Sequence, residues 1–286
     1  MQARVGFHVS IAGSLPQVVQ RALDRGCTTF QSFAGNPRGW ALRARAQPEI
    51  DAFRRARAAA DLTPFFVHAC YLVNVCAHDR TVFDRSRRRL AQELSLAAAL
   101  GADGYVLHPG SHKGRPADWG VRRAASAIVR CLEQTGNAPP LLLENMAAPH
   151  GPGGDMHTLG RLVQALRDAL PDADVGIALD SCHAFGAGYD LRDAEEVDRL
   201  MHDVRREIGV GAPRLLHLND ALDEPGSRRD RHAHVGQGAI GRAGLRNLLS
   251  HPAAAGVPLI LETPWEGVEA DQRNLRAVRA ILDETA

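Results

Sequence analysis

Short runs of apolar and β-branched residues alternate with longer Ala/Arg/Leu/Glu-rich stretches along almost the whole chain. Eight of the short runs read as strands: Arg4–His8, Thr28–Phe33, Pro64–His68, Gly104–His108, Pro140–Glu144, Asp174–Asp180, Arg214–His217 and Val257–Glu262. Between them, stretches such as Asp79–Leu100, Asp118–Gln134, Met156–Leu170 and Ala194–Ile208 carry apolar residues at helical spacing. Regular alternation of this kind predicts a parallel α/β architecture, because a parallel neighbour is reached only through a crossover of a dozen residues or more. The strand ends recur about every 36 residues, and eight such units account for the ~250 residues of a (β/α)8 TIM barrel. No Ser/Gly linker or low-complexity tract interrupts the pattern, so residues 1–286 are expected to form a single barrel domain.

The residues that close these runs are His8, Phe33, His68, His108, Glu144, Asp180, His217 and Glu262; seven of the eight are metal-capable or acid–base side chains. In a parallel barrel all eight ends converge on one face. Glu144 follows Leu141-Leu142-Leu143, and Glu262 follows Leu259-Ile260-Leu261. A carboxylate delivered by an apolar strand is costly to bury unpaired, and a cation offsets that cost. The loops beyond the strands add His183, three positions after Asp180, and Asp230 with His232 in Gly226-Ser227-Arg228-Arg229-Asp230-Arg231-His232. Nine candidate ligands result: His68, His108, Glu144, Asp180, His183, His217, Asp230, His232 and Glu262. One tetrahedral zinc takes three or four. Nine suffice for two or three divalent ions sharing a bridging carboxylate, an arrangement that serves phosphoryl chemistry. The blander alternative makes His217 a satisfied core histidine and Asp230 and His232 ordinary loop polar groups.

The remaining histidines read differently. His8 is expected beside the ions, in a pocket role, and His112 against substrate or solvent. Cys182 is expected to point away from the neighbouring ligands. His78, His150, His157, His202, His234 and His251 read as surface or loop residues, and the Arg-rich run 85–89 as a solvated helix face.

Thirty-four basic residues against 33 acidic ones leave a net charge of +1, which argues against coating nucleic acid by charge alone and leaves a local basic surface open. Five cysteines with no C-x-x-C spacing suit a reducing interior. The amino-terminal residues lack the apolar region of a signal peptide, and no run approaches the ~20 apolar residues of a membrane span. A cytoplasmic protein without a membrane partner is expected.

Three segments carry a resemblance. His68-Ala69-Cys70-Tyr71-Leu72-Val73-Asn74-Val75-Cys76-Ala77 resembles the first signature of the endonuclease IV family of apurinic/apyrimidinic endonucleases. Ala178-Leu179-Asp180-Ser181-Cys182-His183 is similar to its second, and His217-Leu218-Asn219-Asp220 with Gly226 to His232 to its third. The likeness runs in order from about residue 4 to 265, through Gly6-Phe7-His8-Val9-Ser10, His108-Pro109-Gly110-Ser111-His112, Glu144-Asn145, Phe185-x-x-Gly188-Tyr189-Asp190 and Leu261-Glu262-Thr263.

That resemblance implies a DNA-repair enzyme with three zinc ions, manganese being an alternative at one site. It would cut double-stranded DNA on the 5′ side of an abasic site, leaving a 3′-hydroxyl and a 5′-deoxyribose phosphate, with 3′-phosphodiesterase activity as a further expectation. His68, His108 and Glu144 would hold the first ion. Glu144, Asp180, His217 and Glu262 would hold the second, with Glu144 bridging, and His183, Asp230 and His232 the third. A hydroxide activated by the first two ions would attack phosphorus, and Glu144 and Glu262 are the expected catalytic residues. The segments Asn36-Pro37-Arg38-Gly39-Trp40 and Tyr71-Leu72 are similar to loops that penetrate DNA once the abasic sugar is turned out, which makes Arg38, Tyr71, Leu72, His8 and His112 the expected substrate contacts. A monomer is expected.

The chain departs from the family pattern at Ala69-Cys70, where many relatives carry Asp-Ser, at Leu222 in place of a frequent lysine, and at Met146-Ala147-Ala148. None of these removes a ligand; they bear on DNA affinity, salt dependence and metal preference, not on the reaction class. Two rival functions are a divalent-metal sugar isomerase or epimerase on the same barrel, which needs no third ion, and a non-catalytic DNA-damage binder, which has no need of the full ligand set.

Overall fold

The computed structural model describes residues 3–209, 211 and 213–285. Among them the strands are β1 (Val5–Val9), β2 (Phe30–Phe33), β3 (Phe65–His68), β4 (Gly104–Leu107), β5 (Leu141–Glu144), β6 (Val175–Asp180), β7 (Leu215–His217), β8 (Asp220–Ala221), β9 (His232–Ala233) and β10 (Leu259–Leu261). Eight of these close a barrel in the order β1-β10-β7-β6-β5-β4-β3-β2, every pairing parallel. The helices are α1 (Leu15–Asp24), α2 (Gln47–Ala59), α3 (Arg80–Leu100), α4 (Ala117–Thr135), α5 (Met156–Ala169), α6 (Ser181–Ala187), α7 (Ala194–Ile208), α8 (Gly241–Ser250) and α9 (Val268–Thr285). All eight expected barrel strands form. His108 and Glu262 stand one residue past the last hydrogen-bonded position of their strands.

The two-residue period of a strand explains how the barrel delivers ligands. One face of the strands, with Val67, Leu107, Leu143, Leu179, Leu216 and Leu261, packs into the large apolar cluster under the helices. The other face turns inward, where Phe66, Val106, Leu142, Ala178, Leu215 and Ile260 form a separate apolar plug. Two residues further along the same strands stand His68, His108, Glu144, Asp180, His217 and Glu262. Each polar side chain thus sits one layer above an apolar one. Beside the plug there is no room to spare: a Cβ on Gly104 would come within 2.9 Å of the Phe66 ring.

Local chemistry sets the helix starts. Asp79, Asp155 and Asp193 cap α3, α5 and α7, their carboxylates accepting from Val82, Thr158 and Glu195 backbone N–H groups. Asp180 has two tasks. It ends β6 and caps α6, accepting from His183 N at 2.7 Å, so that His183 is turned back over the barrel mouth. The long connection after β7 is folded by the antiparallel β8–β9 pair. Its anchor is the buried Asp220 carboxylate, which accepts from the backbone N–H groups of Ala221, Gly238, Ile240 and Gly241 at 2.8–3.1 Å.

The Arg-rich run 85–89 is not uniformly solvated. Arg85 and Arg88 are exposed, but Ser86 and Arg89 are buried. Position 89 faces inward on α3 beside Leu90, and its guanidinium is matched by Glu93 one turn on, at 2.9 Å.

Candidate metal centre

The nine expected ligands meet at the C-terminal mouth of the barrel. His68, His108 and Glu144 bring donor atoms within 4.8 Å of one another; Glu144, Asp180, His217 and Glu262 do the same, and so do His183, Asp230 and His232. Glu144 belongs to the first two sets. Its Oε2 lies 3.1 Å from His68 Nε2 and 2.8 Å from His108 Nε2, and its Oε1 lies 2.9 Å from His217 Nδ1.

The outer atoms of the histidine rings decide which nitrogen faces the centre. His68 Nδ1 lies 2.8 Å from the Ala69 carbonyl, His183 Nδ1 2.9 Å from the Asn145 carbonyl and His232 Nδ1 2.9 Å from the Glu262 carbonyl. A carbonyl only accepts, so each Nδ1 carries a proton and each Nε2 of the neutral ring presents a lone pair inward. His217 is held the other way round. Gln31 donates through Nε2 to Glu262 Oε1 at 2.9 Å, which turns its carbonyl oxygen to His217 Nε2 at 3.0 Å and leaves the His217 Nδ1 lone pair facing Glu144.

Lone pairs therefore confront carboxylates. His183 Nε2 is 3.2 Å from Asp230 Oδ2, and His232 Nε2 is 3.0 Å from Asp230 Oδ1 without the geometry of a hydrogen bond. Such contacts are stable only with a proton or a cation between them. The titration of these groups expresses the same demand. Burial resists charge at Glu144, but His108 and His217 hold its carboxyl well below the usual range. Burial likewise opposes charge on His183, His232 and His217, yet Asp180 and Asp230, Asp230, and Glu144 respectively push them up, His217 to about 9. Neutral imidazoles and carboxylates in this mixture fit divalent cations, and the cluster is a divalent-metal site.

Other expected residues fall around it. His8 stands beside the ligands, with Nδ1 3.0 Å from Glu262 Oε1 and its ring against Phe33 at 4.2 Å. Tyr71 is 64% exposed at the rim, its ring edge-on to Phe33 at 5.0 Å, and Arg38 is exposed in the neighbouring loop. Leu72 packs against the core. His112 departs from the expected contact with substrate or solvent: its ring is buried against Gly120 of α4, where a Cβ would come within 2.7 Å. Cys182 does not point away as expected, for it comes within 4.8 Å of the Asp180 and His232 donors. Burial pushes its pKa up, so the thiol stays protonated, 3.7 Å from the Arg231 carbonyl. Leu222 is exposed, and no ligand lies at any of the three departures.

Three polar residues of the site are not among those expected from the sequence. Gln31 orients His217 and Glu262; counting back two from Phe33 along β2 places it in the inward layer. Asn145 exchanges hydrogen bonds with the Asp180 backbone at 2.7 and 3.1 Å. Asn219 accepts from Glu262 N at 2.8 Å and donates to Asp180 Oδ2 at 2.6 Å. Asn145 and Asn219 follow a ligand directly or by two positions, which is the signal that could have found them.

A parallel (β/α)8 barrel whose strand ends gather a buried His/Asp/Glu cluster defines a divalent-metal TIM barrel. The model of the xylose isomerase-like TIM barrel family matches residues 19–284. The chain is 41% identical over 282 residues to a probable endonuclease 4 of Methanoculleus marisnigri, covering 97% of this chain and 98% of that one. It is 39% identical over 279 residues to a probable endonuclease 4 of Nitratidesulfovibrio vulgaris, covering 96% and 98%. The crystal structure of endonuclease IV from Thermus thermophilus superimposes with a TM-score of 0.86 at 38% identity, covering 98% of this chain and 99% of that one. The chain belongs to the endonuclease IV family of apurinic/apyrimidinic endonucleases.

Proposed function

We propose that the chain is a DNA-repair endonuclease that hydrolyses the phosphodiester 5′ to an abasic site in duplex DNA, leaving a 3′-hydroxyl and a 5′-deoxyribose phosphate. The observation that carries this function is the shared Glu144, flanked by His68 and His108 on one side and by Asp180, His217 and Glu262 on the other, with His183/Asp230/His232 as a third set alongside. Three donor sets fit three ions; a sugar isomerase has no use for the third. Five imidazoles among nine ligands favour zinc, and the Glu144/Asp180/His217/Glu262 set, with three carboxylates, is the one suited to manganese. Bound divalent ions supply Lewis acidity to phosphoryl oxygens and acidify water.

The protein side chains do the rest. Glu262, held by His8, Gln31 and Asn219, keeps a fixed direction from which it orients or deprotonates the attacking water. Tyr71 and Arg38 at the rim contact the DNA around an extruded abasic sugar, whose lost stacking makes extrusion cheap. A 3′-blocking phosphoester offers the same bond to the same groups, so 3′-phosphodiesterase activity accompanies the incision. The protein acts as a cytoplasmic monomer built on one domain.

The test is a duplex oligonucleotide with one abasic analogue, with metal content measured in parallel. The expected result is a single 5′ incision, about three zinc per chain, and loss of incision in Glu262→Gln with unchanged melting. Intact DNA together with ketose–aldose interconversion would replace this function by sugar isomerisation; tight binding of abasic DNA without incision would leave only a damage binder.

A further inference from the structure

On the flank of the barrel, α3 and α4 enclose a groove of about 370 Å³ lined by Phe83, Arg87, Trp119, Arg122, Arg123 and Arg130. Two aromatic rings make its floor. The Arg123 guanidinium lies 3.7 Å from the Phe83 ring centre and 5.2 Å from that of Trp119, and its Nε donates to the Ala77 carbonyl at 2.8 Å. Arg87 approaches Phe83, and Arg115 approaches Trp119, each at 5.8 Å.

Among the residues lining this groove, ion pairing reaches only Arg87. Its nearest carboxylate is Asp84, 3.8 Å from Arg87 and 3.7 Å from Arg80. Among the described residues, Arg122, Arg123 and Arg130 form no ion pair, and the nearby Asp118 is taken by Arg161. On α7 the arrangement differs: Arg199 is paired with Glu196, and Arg206 with Asp203 and Glu207. A chain with a net charge of +1 thus keeps a knot of unmatched guanidinium groups in one place. Like charges at such spacing repel, and an anion laid along them relieves the repulsion.

Its position points to the anion. In a (β/α)8 barrel each helix begins at the face where the strands end. Phe83, Arg87, Trp119, Arg122 and Arg123 lie in the first two turns of their helices, and Ala77 and Arg115 belong to loops leaving β3 and β4 at the metal face. The groove therefore opens at the rim of the metal centre and runs away from it. From Trp119 to Arg130 it spans about 16 Å of helix, roughly the rise of four to five nucleotides of one strand.

We propose that this groove holds the sugar–phosphate backbone of the duplex arm beyond the lesion, so that substrate DNA passes over the α3–α4 edge of the barrel. The proposal rests on the DNA-repair function above. Guanidinium groups with free N–H donors suit phosphate oxygens, and the absence of a carboxylate partner leaves those donors available. Contacts of this kind add affinity without reading sequence.

The test compares the metal-loaded enzyme with Arg122→Gln/Arg130→Gln on abasic duplexes of about 10 and about 30 base pairs, which reach ~17 and ~51 Å either side of a central lesion. The wild type should favour the long duplex, and the variant should lose that preference. The slope of log(kcat/KM) against log[salt] on the long duplex should flatten by about two, one for each lost phosphate contact. Activity on the short duplex should be unchanged, and Arg122→Lys/Arg130→Lys should restore most of the salt dependence. Lengthening only one arm should matter for one polarity and not for the other. Incision by the wild type with no difference in the Gln variant, on either length, removes the groove from the DNA path and points to another anionic partner. A wild type that incises neither duplex overturns the DNA-repair function itself, and the groove's role with it.

Discussion

Two clusters of buried charge, one on α3 against the barrel and the other at the ends of the barrel strands, behave in opposite ways. In the first, Arg89 Nε donates to Glu93 Oε1 at 2.9 Å, while Tyr105 Oη and Cys70 N donate to Glu93 Oε2 at 2.7 and 3.2 Å. One cation meets one anion, and the anion's oxygens are filled. Burial lifts the Glu93 pKa although Arg89 and Tyr105 oppose it, so these partners offset the cost of its charge only in part. In the second, burial resists charge on Glu144, yet the imidazoles of His108 and His217 beside it draw its carboxyl well below the ordinary range. His8 Nε2 and His232 Nε2 are buried without a hydrogen bond. In the first cluster both Glu93 oxygens have protein donors, although Arg89 Nη1 is buried without a partner, and the cluster, closed around Glu93, is structural; in the second, left open, lone pairs face carboxylates, and that is what makes it a binding site.

The largest effect should come from the residue common to two donor sets. Glu144→Gln keeps the shape and removes the charge that His68, His108 and His217 all face. Incision is expected to fall about 10⁴-fold or more, near 5.5 kcal/mol in the barrier, a size typical of a group that several others act through. Metal content by mass spectrometry should drop by more than one ion per chain. Normal metal content with normal incision would mean that Glu144 is not shared in solution.

The self-contained cluster predicts a loss of stability instead. Removing one member of a buried ion pair costs about 3–5 kcal/mol, because the other charge is left unmatched, whereas replacing both by apolar side chains is often close to neutral. Glu93→Leu should therefore lower the melting temperature by roughly 10 °C, and Arg89→Met/Glu93→Leu should recover most of it. Metal content should be unaffected in both. A double variant as unstable as the single one would show that the cluster is held by more than its charges.

The same contrast explains what is legible in the sequence. The open cluster announces itself, because histidines and acids at the ends of apolar strands break the pattern that surrounds them, and a period of two carries all of them to one face. His183, Asp230 and His232 lie in loops, and their place depends on the motif likeness rather than on any periodicity. The closed cluster is hidden. Arg89 looks like its exposed neighbours Arg85 and Arg88, and only the three-dimensional packing of α3 against the loop at Asn36–Trp40 shows it to be inside. Gln31 is hidden for a related reason: an amide is not among the usual zinc donors, so nothing in its chemistry marks it out beside Phe33. The place of His112 is not legible either, because nothing in a Pro-Gly turn says that the next helix offers a glycine for a ring to lie on.

Gln31 belongs to the open cluster. It contributes no charge, but it fixes both His217 and Glu262. Loss of such an outer hydrogen-bond partner typically weakens metal binding 10–100-fold. Gln31→Ala should lose metal faster than wild type to a chelator by about that factor, with incision restored by excess zinc. Retention equal to wild type would reduce Gln31 to a space-filling residue.

The smallest effect is expected where the two regions touch. Cys70 lies at the end of the segment that leads from His68 to Tyr71, and its backbone N–H serves Glu93 while its thiol donates to the Pro37 carbonyl at 3.0 Å. One residue thus ties the closed cluster to the loop that carries Arg38 and to the exposed Tyr71. Burial pushes the Cys70 pKa up, so the thiol acts as a neutral donor rather than a nucleophile. Ser keeps a donor of similar size, and Cys70→Ser should shift stability by no more than about 0.5 kcal/mol. Cys70→Ala deletes the donor and should cost about 1 kcal/mol, read as a slightly lower melting temperature. Because the rim loop loses its tie while the ligands keep theirs, KM for abasic DNA should rise in Cys70→Ala with kcat and metal content unchanged. A fall in kcat at constant KM would show instead that the closed cluster transmits its order to the metal centre, and the separation of the two regions would fail.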